Sequence, residues 1–293
     1  MVSMVERFLR YLEGQLAQTP NTVLSYGHAM TDFENWLGKT ALEADRQQIY
    51  GYLAYCSGRG LSPVTVAHRL SVLRHFYSFA LDQGAVPEDP TYNVKGPKLQ
   101  QKLPVGALTA KDIAKMLKVA GTTPRGLRDQ VIILLGFDAG LRESEMAHLA
   151  MEAVQVKDGL IRIRHGKGDK NATLPILPVL ARALRRYLKH GRPQLLHNRQ
   201  CPYLLVDRNG TAMSRQAIWH RIRTLSVEAL GQSRSPHKLR AGFCTALNDG
   251  GMDVRSVQSL MRHADLSTTQ RYINLDVKQL RRAYYKSFPR AKQ

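Results

Sequence analysis

Four short stretches carry residue types that handle anions and protons. Asp138-Ala-Gly-Leu-Arg142-Glu-Ser-Glu145 places an arginine at a turn between two helical segments. Gly166-Lys167-Gly168 sets a lysine at the tip of a hairpin. His237-Lys-Leu-Arg240 spaces a histidine and an arginine at i and i+3, on one side of a helix. His263-Ala-Asp-Leu-Ser-Thr-Thr-Gln-Arg-Tyr272 supplies a histidine and then a tyrosine. A guanidinium grips anionic oxygens with forked donors. A tyrosine hydroxyl is a poor nucleophile until its phenolate is stabilised. Imidazole moves protons near neutrality, and a lysine among cations has its pKa lowered and becomes a better proton donor. Singly, each stretch also has an ordinary reading. A glycine-flanked arginine ends a helix, Gly-Lys-Gly is a turn, His-x-x-Arg is a solvated face, and one tyrosine packs in a core. Gly-Lys-Gly lacks the longer glycine spacing and the following helix of a nucleotide-phosphate loop.

Helical patterns dominate the elements that must position these groups. Thr19-Pro20 reads as an N-cap followed by proline at the first helical position, ahead of Tyr26, Met30, Phe33 and Leu37. Asp45 caps a helix with Ile49 and Leu53 inside. Ser62-Pro63 opens a helix whose buried stripe is Val66, Leu70, Leu73, Phe76 and Ala80. Arg69 and Arg74 fall off that stripe and are expected to be exposed, as DNA contacts or as a solvated face. Pro87, Pro90, Pro97 and Pro104, interleaved with lysines, read as an extended connector. Beyond it, Thr109-Ala-Lys-Asp112 starts a helix, a second covers 127–138 and a third begins near Ser144. The period then shortens to that of strands at 153–156, 160–164 and 173–176, with turns at Lys157-Asp158-Gly159 and around Gly166. Helical patterns return over 178–189, 214–230, 237–248 and 254–261.

Charge narrows the partner. Forty-three Lys and Arg against 23 Asp and Glu give +20 over 293 residues. A folded chain this basic suggests a polyanion, most often nucleic acid. Residues 1–98 hold nine basic and nine acidic side chains, so the whole excess lies in 99–293. No apolar run approaches the roughly 20 residues of a membrane helix. The basic, amphipathic start does not read as a signal peptide. Three scattered cysteines fit a reducing compartment and neither a disulfide scaffold nor a cysteine zinc site.

In this order and on this basic part of the chain, the motifs resemble those of the tyrosine recombinases, also known as phage integrases, and look closest to plain Xer-type members. The family's Gly-Leu-Arg turn, hairpin lysine, His-x-Leu-Arg motif, later histidine and final tyrosine fall on Arg142, Lys167, His237, Arg240, His263 and Tyr272. Glu145 matches the acidic residue after the first arginine. The resemblance implies a catalytic set. Tyr272 would attack a phosphodiester to leave a 3′-phosphotyrosyl link and a free 5′-hydroxyl. Arg142 and Arg240 would hold the equatorial oxygens of the transition state. His237 and His263 would donate hydrogen bonds or handle the tyrosine proton, and Lys167 would protonate the departing oxygen. Glu145 would orient a neighbouring group or act as a helix N-terminal carboxylate. Neither a metal nor another cofactor is called for, since the arginines do the charge work. Three positions depart from the usual pattern. Arg262 precedes the third-motif histidine where glycine is common, Ala241 follows Arg240 where histidine is common, and Ala172 stands where an arginine is common. None removes a catalytic group. Tyr284 and Tyr285 are rival nucleophiles by type, but they lack the preceding histidine segment and read as packing in a C-terminal helix.

The expected architecture is mainly α with a small antiparallel sheet. A helical core-binding domain over 1–96 and a linker over 97–104 precede a mixed α/β catalytic domain over 105–293. The two domains would embrace double-stranded DNA from opposite sides. Lys170 joins Arg69 and Arg74 as a DNA-binding candidate. Residues 277–288 would tether one protomer to the next in a tetramer on paired sites. A cytoplasmic, nucleoid-associated location is expected. Helical signal from the first residues implies no added arm-binding domain. A type IB topoisomerase-like enzyme and a non-catalytic DNA-binding protein of the same fold are the alternatives.

Overall fold

The computed structural model describes residues 2–98, 107–163, 172–261 and 277–290. The chain forms two compact units, Met1–Lys102 and Leu103–Gln293.

The first unit holds α1 (Met4–Gly14), α2 (Pro20–Leu37), α3 (Arg46–Gly58) and α4 (Pro63–Asp82). Each begins where a polar side chain accepts an otherwise unpaired backbone N–H: Ser3, Thr19, Asp45 and Ser62 in turn. Proline opens α2 and α4, where its missing N–H costs nothing. The apolar stripes meet in a core that includes Phe8, Met30, Phe33, Leu70 and Phe76. Tyr52 and Tyr77 are buried there because their hydroxyls find acceptors, Asp32 at 2.8 Å and the Ala41 carbonyl at 2.6 Å. Arg69 differs from expectation. It lies off the stripe of α4, yet its side chain is only 19% exposed and pairs with Asp32 at 3.6 Å. Arg74 is exposed and donates to the Val94 carbonyl at 2.5 Å, which helps bring the helix-free segment after α4 back onto this unit.

The second unit is built around α6 (Pro124–Phe137), most of whose residues are buried. Around it pack α5 (Ala110–Ala120), α8 (Pro178–Arg186), α9 (Arg192–Leu196), α10 (Arg215–Leu230) and α11 (Pro236–Asp249). A short α7 (Glu143–Ala147) leads to the antiparallel sheet β1 (Val154–Gln155), β2 (Leu160–Ile163) and β3 (Ala172–Pro175), in that order. Ile161 faces Leu174 and Ile163 faces Ala172. The unit closes with α12 (Val254–Met261) and α13 (Val277–Ser287). One stretch runs further than its periodicity suggests. The helical course from Pro178 passes through a π-turn, Tyr187–Gly191, into α9 and ends at Leu196. Pro193 falls in the first turn of α9, where proline is tolerated, and Arg192 donates to the Cys201, Tyr203 and Leu204 carbonyls. Among the described residues, no helix is long and apolar enough to cross a membrane.

Two buried features hold α10 and α11 on α6. Asp129, fully buried, accepts from Arg128 at 2.9 Å and from Arg221 of α10 at 2.6 Å. Gly242 lets α11 approach closely. A Cβ there would lie 2.3 Å from the Leu108 carbonyl and 2.8 Å from the Phe137 ring. Gly242→Ala is therefore expected to cost about 1–3 kcal/mol by overpacking. Urea unfolding checks this, and an unchanged midpoint would contradict the close packing.

Candidate active site

The turn after α6 positions the first arginine. Gly140 sits at φ +61°, a conformation glycine adopts without strain. It also leaves room for Phe243, whose ring a Cβ would meet at 2.5 Å. Leu141 then turns inward and is fully buried, and Arg142 becomes the N-cap of α7. Glu145 fixes Arg142 from two sides. Its carboxylate accepts the Arg142 backbone N–H at 2.8 Å and the guanidinium at 3.1 Å. The Arg142 side chain stays 34% exposed, so solvent or a ligand can reach it.

The second arginine reaches the same turn from α11. Arg240 is buried, with its guanidinium donating to the Gly140 carbonyl and to the Met261 carbonyl at the end of α12. One turn earlier on α11, His237 is well exposed, with Nε2 3.8 Å from Glu143 of α7. Thus the i and i+3 spacing brings both side chains to the 140–143 turn but at different depths. The structure gathers Arg142, Glu145, His237 and Arg240 around one turn. Lys167, Lys170, His263 and Tyr272 lie outside the described residues. Chain order still brackets them. The eight residues between paired Ile163 and Ala172 contain Lys167 and Lys170. The stretch between α12 and α13 contains His263 and Tyr272.

The C-terminal segment packs on its own unit. Phe288 packs edge-on against Phe137 and at a tilt against Phe243, each at 5.6 Å between ring centroids. Tyr284 is buried and its hydroxyl donates to the Asp138 carbonyl, while Tyr285 donates to the Ile176 carbonyl at 2.8 Å. The two tyrosines therefore serve packing, as their sequence context suggests. Tyr284 and Phe288, on the segment expected to meet a neighbouring protomer, are covered within this chain.

Sequence reasoning missed the meeting of Asp138 with Arg290. Asp138 is completely buried, and Arg290 is 4% exposed with Nε 3.6 Å from Asp138 Oδ1. Burial pushes the Asp138 carboxyl up to about 7, and Arg290 only partly opposes it. The aspartate was visible in the motif stretch, but nothing local signals that it goes inside. Among the described residues, no group of three or more His, Cys, Asp and Glu side chains could hold a metal ion.

Comparison with known proteins adds the decisive observation. Residues 107–279 match the phage integrase family, and residues 5–84 match its N-terminal SAM-like domain. The chain belongs to the phage integrase family. This integrase is 34% identical to the tyrosine recombinase XerD of Lacticaseibacillus casei over 294 residues, covering 99% of its own length and all of the relative. It is similar to the solved XerA recombinase, at 26% identity and TM-score 0.50 over 98% of both chains. The fold of the Tn1549 transposon integrase, solved with transposon right end DNA, matches with TM-score 0.72 at 19% identity over 96% of this integrase and 94% of that chain. The integrase is an enzyme of the tyrosine recombinase class.

The raised Asp138 pKa has a measurable consequence. Its folded value of about 7 lies above its ordinary value of 3.8, so the folded state resists ionisation. The associated stability is full below the ordinary value and is lost as pH rises through about 7. Asp138→Asn is expected to flatten the fall in stability over that window. Denaturant titrations at several pH values check this, and identical slopes for the two proteins would refute it.

Proposed function

We propose that this recombinase cuts and rejoins DNA strands at defined sites, with Tyr272 as the covalent nucleophile. The observation that carries the reading is the convergence of Arg142 and Arg240 on a single turn, with Arg240 also holding the last residue of the helix before the tyrosine stretch. Two guanidiniums held by the fold stabilise the charge that gathers on a pentacoordinate phosphorus without reorganising at the moment of reaction. Attack by the Tyr272 oxygen forms the phosphotyrosyl bond and breaks the bond to the 5′-oxygen, which Lys167 protonates. Reversal by another strand's 5′-hydroxyl reseals the backbone. Bond energy is conserved, so no nucleotide triphosphate enters. His237 and His263 serve the tyrosine proton or the phosphate oxygens, and Glu145 orients Arg142.

The partner is double-stranded DNA. The excess positive charge in 99–293 supports this reading, because neutralised phosphates release counterions. Lys170, Arg74 and Arg69 contact the backbone, Arg69 after giving up part of its hold on Asp32. Four protomers assemble on two paired sites, since recombination exchanges strands between two duplexes. The enzyme works in the cytoplasm, on the nucleoid.

Tyr272→Phe is expected to bind DNA with unchanged affinity and to form no covalent adduct on nicked suicide DNA. A denaturing gel reads this directly, and an adduct formed by the Phe protein would dismiss Tyr272 as nucleophile. Lys167→Ala should cleave ordinary DNA at least ~100-fold more slowly. It should recover most of its rate when sulfur replaces the 5′-bridging oxygen, because a thiolate leaves without a proton. Arg142→Ala and Arg240→Ala should show no such rescue. Equal defects of Lys167→Ala on both substrates would reassign the lysine to phosphate binding.

A further inference from the structure

Asp138 and Arg290 are buried charged groups that the reaction above does not use. Neither carboxylate oxygen of Asp138 has a hydrogen-bond partner, and neither do Nε and Nη1 of Arg290. Burial opposes ionisation of Asp138 below about pH 7, and above it the neighbouring Arg290 guanidinium compensates the carboxylate. The pair joins two places that matter. Asp138 follows α6 and begins the turn that leads through Gly140 to Arg142. Arg290 follows α13, whose Tyr284 hydroxyl donates to the backbone carbonyl of the same Asp138. The other end of the tyrosine-bearing stretch is fastened to this turn as well. Met261, the last residue of α12, accepts from Arg240, which also holds the Gly140 carbonyl. The stretch containing His263 and Tyr272 thus leaves and rejoins described structure at two points tied to one turn.

We propose that Asp138 and Arg290 are positioning residues for strand cleavage: their buried charge pair, together with the Tyr284 hydroxyl, latches the C-terminal segment onto the turn that carries Arg142. The proposal rests on the reading of Tyr272 as nucleophile. Neither residue touches DNA. They act by fixing where the nucleophile-bearing stretch is anchored relative to the arginines that hold the phosphate.

Single-turnover cleavage of nicked suicide DNA at saturating protein separates this from a simple stability effect. The amplitude reports the folded, DNA-competent fraction, and the rate constant reports alignment. Arg290→Met is expected to lower the rate constant about tenfold or more, because a small displacement of reacting groups is costly. Its DNA affinity should stay within about twofold of wild type, because the phosphate contacts are untouched. Arg290→Lys, which keeps the charge, should restore most of the rate constant. The double variant Asp138→Asn/Arg290→Met removes both charges and so avoids an uncompensated buried carboxylate, which keeps the test valid should Arg290→Met fail to fold. Its rate constant should remain low, since the latch is absent. A wild-type rate constant in the double variant, with or without reduced amplitude, would overturn the proposal. Tyr272→Phe in parallel keeps the two readings apart. An adduct from that protein refutes the nucleophile, whereas a normal rate constant in the double variant refutes only the latch.

Discussion

Burying a guanidinium is costly unless its donors find acceptors, and Arg240 obtains two of them from backbone that also builds the candidate site. One is the Gly140 carbonyl, in the turn before Arg142, and the other is the Met261 carbonyl, at the end of α12. Removing a partner from a buried charge costs several times more than the pair contributes in water, roughly 3–5 kcal/mol. That asymmetry makes Arg240 a fixed point. Through Arg240 the turn, α11 and the end of α12 are tied to one another.

The same reasoning extends to the scaffold beneath. α6 is buried along most of its length, so its polar residues must find partners within the unit. Asp129 does so between Arg128 and Arg221, which ties α10 to α6. Gly242 brings α11 close enough to α6 and Leu108 for Arg240 to reach the turn. Phe243, the next residue, fills the space that Gly140 leaves open. Packing and the candidate site therefore share α11. Its inner face holds the core, and its first turns present His237 and Arg240.

The C-terminal segment is part of that arrangement. Moving α13 to another copy of the chain would expose Tyr284 and Phe288 and separate Arg290 from Asp138. An exchange of this helix between protomers would need the receiving copy to supply the same aromatic pocket and the same buried carboxylate.

Much of this was legible in the chain itself. Ser, Thr and Asp before helical periods mark helix starts because they satisfy orphan N–H groups within three residues. Alternation around Gly159 marks a hairpin because side chains of a strand alternate between faces. The order of Arg142, Lys167, His237, Arg240, His263 and Tyr272 resembles one family closely enough to suggest the chemistry. All of these are local signals or a pattern of residue types. The helical pattern read over 178–189 continues through a π-turn to Leu196, where distant carbonyls hold Arg192. Arg69 reads as an exposed base because Asp32, its partner, sits on a different helix. The acceptors of Arg240 lie 100 and 21 residues away, and Tyr284 reaches a carbonyl 146 residues away. The sequence alone determined which residues could do the chemistry and where most helices begin. Tertiary structure decided which arginine is buried, which tyrosines pack and that Asp138 meets Arg290, because burial is a property of what surrounds a side chain and distant segments supply those surroundings.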